Sequence, residues 1–180
     1  MPRSLLDGAD LPVIRRAAAA RPGRIAALLA CLLEGGVVEY APDEPDWADR
    51  DHVVVGTEDL RAAIEADGGP EAVLVEGGRA LAMAAGAACA GALDGGVART
   101  YCLLDESALD DGAVWEAALV GPGAALTAFV MTEEGAGARA MFDAAGWCVV
   151  EASADDPVAL LGALDRVQER PTRPGMVLVR

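Results

Sequence analysis

Short runs of apolar residues alternate with segments of helical periodicity along most of the chain. The apolar runs lie at 53–55, 72–75, 98–104, 124–131, 146–152 and 174–179, and from them we expect four or five short buried strands. Strands that alternate with helices usually pair in parallel and are covered on both faces. The pattern therefore predicts an α/β fold, with a mostly parallel sheet and helices on both of its faces.

Turn and capping residues indicate where the intervening helices begin and end. Pro22-Gly23 splits one long periodic stretch into two helices, and Thr57 and Asp156 are the expected N-caps of two others. The Pro- and Asp-rich segment 39–52 predicts an ordered but irregular surface connection. The expected helices cover approximately 11–21, 24–34, 57–66, 77–93, 110–119, 137–145 and 155–169.

Size and charge narrow the possible functions. The chain has 180 residues, a mass of 18.3 kDa and a formal net charge of −15 at pH 7, which predict one domain over residues 1–180. All 14 cationic side chains are Arg, and the sequence has no Lys, no Asn and a single His. These absences exclude a phosphate-loop lysine, a lysine Schiff base and a pair of His metal ligands. The acidity argues against nucleic-acid and membrane partners, because both carry negative charge.

The cysteines and the N-terminal sequence bear on the compartment. Cys31, Cys89, Cys102 and Cys148 lie far apart in apolar runs, which predicts buried free thiols in a reducing environment. The first ten residues lack the apolar core of a signal peptide, and no uninterrupted apolar stretch approaches the roughly 20 residues of a membrane span. We therefore expect a cytoplasmic protein.

The tryptophans and the histidine are expected to have structural roles. Trp47, Trp115 and Trp147 are predicted to fill the core or an interface, because large aromatic rings bury extensive apolar surface. His52 is predicted to be a structural hydrogen-bonding residue, since no second histidine exists to form a relay with it. Cys102 has no cation near it in the sequence, which argues against a nucleophilic thiol.

Three stretches of the sequence, 42–55, 93–119 and 142–164, resemble a known family. The runs Trp115-Glu116-Ala117-Ala118 and Pro45-Asp46-Trp47 with Asp49-Arg50-Asp51 are the most specific parts of this similarity. Together the stretches resemble the N-terminal, thiamine diphosphate-binding (PP-type) module of transketolases, including the split, two-subunit kind. The resemblance implies the α/β fold of that module and chemistry that depends on thiamine diphosphate and Mg²⁺.

The positions that hold the metal in this family are substituted here. The family strand reads roughly Leu-Leu-Gly-Asp-Gly-Glu, and its aspartate binds the divalent cation. Here Leu103-Leu104 is followed by Asp105, Glu106 and Ser107, so both glycines are lost and the aspartate is replaced by Glu106. The family's second ligand, an asparagine after the next strand, corresponds to the stretch that ends at Glu133. Asp105 places an extra negative charge where the diphosphate would approach.

Other family positions are also changed. The family's Gly-Ser-Leu-Gly-Gln-Gly turn corresponds to residues 73–78, where only Gly78 matches. Gly77 and Gly78 resemble an anion cradle, but the preceding Glu76 opposes a phosphate there. The family's histidines correspond to Arg21 and Asp59, and the stretch between 133 and 146 is too short for the family's cofactor-contacting loop.

The substitutions lead us to expect a degenerate, non-catalytic transketolase-like subunit with no bound cofactor. Its expected partner is a pyrimidine-domain-like or transketolase-like subunit, or a second copy of itself. That partner would come from another chain, because residues 1–180 leave no room for the family's pyrimidine-binding domain. The helices at 77–93 and 110–119 are expected to face it. The role would be structural or regulatory.

Two alternatives remain open at this stage. In the first, the chain is the catalytic half of a two-component, thiamine diphosphate-dependent transketolase that carries out ketol transfer. Glu106 and Glu133 would then be substitute Mg²⁺ ligands. In the second, the chain is a stand-alone small-molecule or ion-binding module. Asp105, Glu106 and Glu133 could form a carboxylate site for a divalent cation, because carboxyl ends of adjacent parallel strands meet at one edge of a sheet.

Overall fold

A computed structural model describes residues 4–41, 43–44, 47–120, 123, 125–133, 135–169 and 172–180. Within these residues the chain forms a six-stranded, fully parallel sheet. The strands are β1 (His52–Val55), β2 (Ala72–Leu74), β3 (Thr100–Asp105), β4 (Leu126–Met131), β5 (Cys148–Ala152) and β6 (Gly175–Val179). The helices are α1 (Leu5–Gly8), α2 (Leu11–Ala20), α3 (Ala26–Leu33), α4 (Glu58–Ala66), α5 (Arg79–Leu93), α6 (Gly112–Val120), α7 (Ala136–Ala144) and α8 (Pro157–Gln168), and a 3-10 helix covers Glu106–Asp110.

The strand order in the sheet is β2-β1-β3-β4-β6-β5, and every neighbouring pair is parallel. The predicted α/β fold is therefore confirmed, although all six apolar runs form strands rather than four or five of them. The pairing of Asp105 with Met131 aligns the carboxyl ends of β3 and β4. Residues that follow these two strands therefore lie at the same edge of the sheet, called the carboxyl edge below.

The two faces of the sheet contribute to two separate cores, because successive side chains of a strand point to opposite faces. In β3, Tyr101 and Leu103 pack with helices α2, α3, α4 and α8. Cys102 and Leu104 pack on the other face with α5, α6 and α7. Trp147 is fully buried in the second core, where its ring meets Phe142 edge-on at a centroid distance of 5.3 Å. The sheet is thus covered on both faces, as predicted.

Local capping explains most of the helix starts. The Thr57 side chain accepts a hydrogen bond from the Leu60 amide at the start of α4, and Asp156 accepts one from the Val158 amide at the start of α8. Both caps were predicted. The short α1 was not predicted, because the Asp165 carboxylate of α8 holds it by accepting hydrogen bonds from Ser4 and from the Leu5 amide. Such a contact depends on residues that are about 160 positions apart.

The segment after β3 differs from the prediction. A single helix was expected over 110–119, but residues 106–110 form a 3-10 helix and α6 begins only at Gly112. The alanine-rich helix predicted from residue 77 begins at Arg79. Pro45 and Asp46, part of the family-like run, lie outside the described residues. No helix in the described part of the chain combines the length and apolar character of a membrane span.

Candidate functional site

Asp105 and Ser107, predicted to lie at a cofactor position, form a local turn at the carboxyl edge. Asp105 Oδ1 accepts a hydrogen bond from Ser107 Oγ at 2.7 Å and one from the Ala108 amide at 3.3 Å. The Asp105 carboxylate therefore caps the 3-10 helix that follows β3. Asp105 and Ser107, which stand where the family has glycines, thus form a side-chain cap for the 3-10 helix.

Glu106 joins the end of β3 to the end of β4. Its Oε1 accepts a hydrogen bond from Thr132 Oγ1 at 2.7 Å, and its Oε2 accepts one from the Glu133 amide at 3.2 Å. Thr132 is fully buried. Both oxygens of the Glu106 carboxylate are thus engaged with the chain itself, at the position where the resemblance implies a metal ligand.

The Glu133 carboxylate is directed to a different partner. It forms an ion pair with Arg24 at 3.2 Å, and the Glu133 side chain is 78% exposed. Arg24 also donates to the Thr132 carbonyl at 3.4 Å. The Glu106 carboxylate therefore contacts residue 133 at its backbone amide. The carboxylates of Asp105, Glu106 and Glu133 each have different partners. Over the residues that the structure describes, no group of three or more His, Cys, Asp or Glu side chains is arranged to hold a metal ion.

Gly77 and Gly78 form the turn between β2 and α5. Gly77 has a φ of +68°, a conformation that favours glycine, and its amide donates to the Gly56 carbonyl at 3.0 Å. The Gly78 amide donates to Asp111 Oδ2 at 3.1 Å. A Cβ atom at Gly78 would lie 2.9 Å from both Asp111 Cβ and the Val114 nitrogen. The turn is therefore filled by the segment that opens α6.

Sequence reasoning did not assign Asp111 to the candidate site. An aspartate before a helix is a signal for an N-cap, and Asp111 does accept a hydrogen bond from the Ala113 amide at 3.0 Å. Its second contact, to Gly78, joins residues 33 positions apart. That contact has no sequence signal, because it depends on the packing of α6 against α5.

A separate cleft of about 350 Å³ lies at the amino ends of β1 and β2. Tyr40, Arg50, His52 and Glu71 are among its lining residues. The His52 backbone amide donates to the Arg99 carbonyl at 2.8 Å, but the side chain is exposed and forms no hydrogen bond to the described residues. The structural hydrogen bond predicted for the His52 side chain is therefore not seen.

All four cysteines lie in the described part of the chain and are free, as predicted, but only Cys31 and Cys102 are buried. Burial raises the pKa of the Cys31 thiol to about 12 and raises that of Cys102 as well. We expect Cys89 and Cys148, which are half-buried, to react with a thiol reagent in the native protein. Cys31 and Cys102 should react only on unfolding, which a time course with Ellman's reagent with and without denaturant would measure. Rapid labelling of all four native thiols would contradict this burial pattern.

The fold of the chain can be compared with those of known proteins. Neither a protein-family model nor a curated protein sequence matches the chain. A mutant transketolase from Pichia stipitis, in complex with fructose 6-phosphate, matches with a TM-score of 0.74 and 19% identity, over 98% of this chain and 35% of that chain. The Leishmania mexicana transketolase matches with a TM-score of 0.74 and 21% identity, over 98% and 36% of the two chains.

The transketolase from Campylobacter jejuni matches with a TM-score of 0.74 and 18% identity, over 99% of this chain and 38% of its own. The fold is therefore that of an α/β module. In particular, the module is transketolase-like, and the predicted resemblance is confirmed at the level of the fold. The chain spans only 35% to 38% of the length of these three transketolases.

Proposed function

We propose that this chain is a non-catalytic, transketolase-like subunit whose role in a complex is structural or regulatory. The main support for the proposal is the hydrogen bonding of the acidic side chains at the carboxyl edge, which is where α/β folds bind their ligands. Asp105 through its Oδ1, and Glu106 and Asp111 through both carboxylate oxygens, accept hydrogen bonds from the chain's own hydroxyl and amide groups. In a catalytic site, such carboxylates would be available to bind a ligand or a metal ion.

The residues present do not fit a diphosphate held by a divalent cation. At the Gly77-Gly78 turn, the amide that would face an anion already bonds the Asp111 carboxylate. Asp105 and Glu106 add two more negative charges at the end of β3, which is separated from β2 by β1, and these charges repel an anion that approaches the carboxyl edge. Arg24, one of the cations near this edge, is paired with Glu133. We therefore derive no catalytic step through thiamine diphosphate.

An exposed apolar surface supports association with another subunit. No charged residue occurs in α5 after Arg79, and its exposed positions include Met83 and Leu93. Leu93 is 87% exposed, and Leu119 at the end of the adjacent α6 is 75% exposed. We call this surface, formed by Met83, Leu93, Val97, Leu119 and Val120, the α5–α6 face. Exposed apolar side chains mark interaction sites where they form one contiguous patch, and we propose that these five residues do so.

The proposed occupant of the α5–α6 face is a pyrimidine-domain-like or transketolase-like subunit. Two features support this choice. The two helices that carry the face are those that the family resemblance assigns to the partner side. The chain also spans little more than a third of the matched transketolases, so the rest of such an assembly would be supplied outside residues 1–180. A second copy of the chain is the competing occupant.

Isothermal titration with thiamine diphosphate and Mg²⁺ tests the loss of cofactor binding. The measurement is made on the isolated chain and on the complex purified from the native host. We expect no binding to the chain in either sample. Micromolar binding that is abolished by Glu106→Ala would overturn the proposal. It would favour the alternative in which the chain is the catalytic half of a two-component transketolase, with Glu106 and Glu133 as Mg²⁺ ligands. Glu106→Gln, which keeps the size of the side chain, serves as the control for misfolding.

Partner binding is tested with variants of the α5–α6 face. Leu93→Asp should weaken binding of the co-purified subunit by about 30-fold or more, because it places a charge in an apolar contact. Met141→Asp is the control, because Met141 is likewise an exposed apolar side chain, at 49%, but lies on α7. Equal binding by both variants and the native chain would contradict this face as the interface. Size-exclusion chromatography of the purified chain shows whether a second copy occupies it instead.

A further inference from the structure

Asp111 connects the N-termini of two helices. Its Oδ2 accepts a hydrogen bond from the Gly78 amide, which lies just before α5, at 3.1 Å. Its Oδ1 accepts one from the Ala113 amide, in the first turn of α6, at 3.0 Å. One carboxylate therefore satisfies two of the backbone amides that every helix leaves unpaired at its start. The side chain is half-buried between the two helices.

The charge of Asp111 suits this position. A helix N-terminus carries a partial positive charge, and an anion near it is stabilised. Here two N-termini, of α5 with 15 residues and α6 with nine, share one carboxylate. Gly78 has no side-chain cap of its own to compete for this interaction. The two helix N-termini thus form an anion-binding arrangement, and the anion is the Asp111 carboxylate of the chain itself.

The space around Asp111 excludes a further group at the turn. A methyl group on Gly78 would already lie 2.9 Å from Asp111 Cβ and from the Val114 nitrogen. Real Cβ atoms essentially never make contacts this short. An external phosphate at the Gly78 amide would therefore have to displace Asp111 and move the start of α6.

We propose that Asp111 is a built-in anionic ligand that takes the place of an external anion between the N-termini of α5 and α6. In this role it joins the β2–α5 turn to α6 and stabilises the carboxyl edge in the absence of a bound cofactor. The inference concerns the chain itself and does not depend on the identity of any partner. Failure of partner binding would leave it intact.

Removal of the carboxylate should create a site for a small carboxylate from solution. In Asp111→Ala the amides of Gly78 and Ala113 would face the space left by the side chain. We expect the midpoint of thermal unfolding to fall by about 6 °C, because two helix ends lose their shared cap. Sodium formate should then raise the midpoint by about 2 °C more than sodium chloride at the same ionic strength. The native chain should show no such difference between the two salts.

Asp156→Ala is the matched control. Asp156 caps α8 through the Val158 amide at 2.9 Å, and this one exposed contact does not join two helices. Its loss should lower the midpoint by about 3 °C with no formate-specific recovery. Asp111→Asn should lose less stability than Asp111→Ala and should not respond to formate, because the amide group fills the space.

The proposal is overturned by either of two results. One is an Asp111→Ala chain as stable as the native chain. The other is a destabilised Asp111→Ala chain on which formate acts no better than chloride, which would reduce Asp111 to an ordinary helix cap. If Asp111→Ala does not fold in buffer, the readout is its refolding yield in formate compared with chloride. Equal yields would then count against the proposal.

Discussion

Replacement of Trp147 by alanine should lower the free energy of unfolding by about 4 kcal/mol, the largest loss expected for a single substitution considered in this chain. Trp147 is fully buried, and its indole Nε1 donates to the Ala118 carbonyl at 3.0 Å. The ring also contacts Phe142 edge-on. The alanine variant would leave a large cavity between α6, α7 and the sheet, and would deprive a buried carbonyl of its donor. Urea unfolding followed by circular dichroism measures the loss.

Trp147→Phe separates the contribution of the buried ring from that of the Nε1 hydrogen bond. It keeps most of the apolar ring but removes the Nε1 donor, so we expect a loss of about 2 kcal/mol. Trp115→Ala provides a comparison, because Trp115 is only half-buried although its Nε1 also donates to a carbonyl, that of Leu109. A Trp147→Ala chain that loses no more stability than Trp115→Ala would contradict the burial described for this core.

Asp51→Ala should lower the free energy of unfolding by about 3 kcal/mol. Asp51 is 7% exposed, and its carboxylate accepts hydrogen bonds from the Glu39 amide at 2.9 Å and the Arg99 amide at 2.7 Å. It thereby ties the segment after α3 to the start of β3. Removal of the side chain leaves two poorly solvated amide groups without this acceptor, at a cost of about 1–2 kcal/mol each. The same urea measurement applies.

The pH dependence of this contribution has a defined sign. Burial raises the pKa of Asp51, and the hydrogen bonds from the Glu39 and Arg99 amides oppose that effect only in part. The folded chain therefore binds a proton at Asp51 more readily than the unfolded chain does. As the pH rises from the ordinary aspartate pKa through the raised pKa, ionisation of Asp51 reduces stability. The stability of the native chain relative to Asp51→Asn should fall over that window, and a rise would contradict the direction of the shift.

Much of the fold was predictable because its signals are local. Four of the six apolar runs have the usual length of buried strands, and Thr57 and Asp156 occupy the N-cap positions that their side chains favour. Helices between the strands then allow parallel pairing. The number of strands was underestimated because 53–55 and 72–75 are very short. Each is stabilised as a strand by its neighbour in the sheet, and β1 has β2 on one side and β3 on the other.

The candidate site was only partly predictable. The sequence located Asp105, Glu106, Ser107 and Glu133 after adjacent strands, and the pairing of β3 with β4 does bring these segments to one edge. It did not predict that Glu106 would bond the Thr132 hydroxyl or that Glu133 would pair with Arg24. Side-chain partners of this kind are selected by distance in three dimensions, and residues 24 and 133 are remote in the chain.

By itself, the sequence determined the parallel α/β architecture, the N-caps of α4 and α8, and the absence of the residue types that the family uses to bind its cofactor. These properties follow from periodicity, capping and composition, which act over a few residues. Only the tertiary structure decided how the acidic residues at the carboxyl edge are used. The packing of α6 beside α5 brings Asp111 to the Gly78 amide, and the pairing of β3 with β4 brings Glu106 to the Glu133 amide. Both contacts arise because helix packing and strand pairing bring together segments that are far apart along the chain.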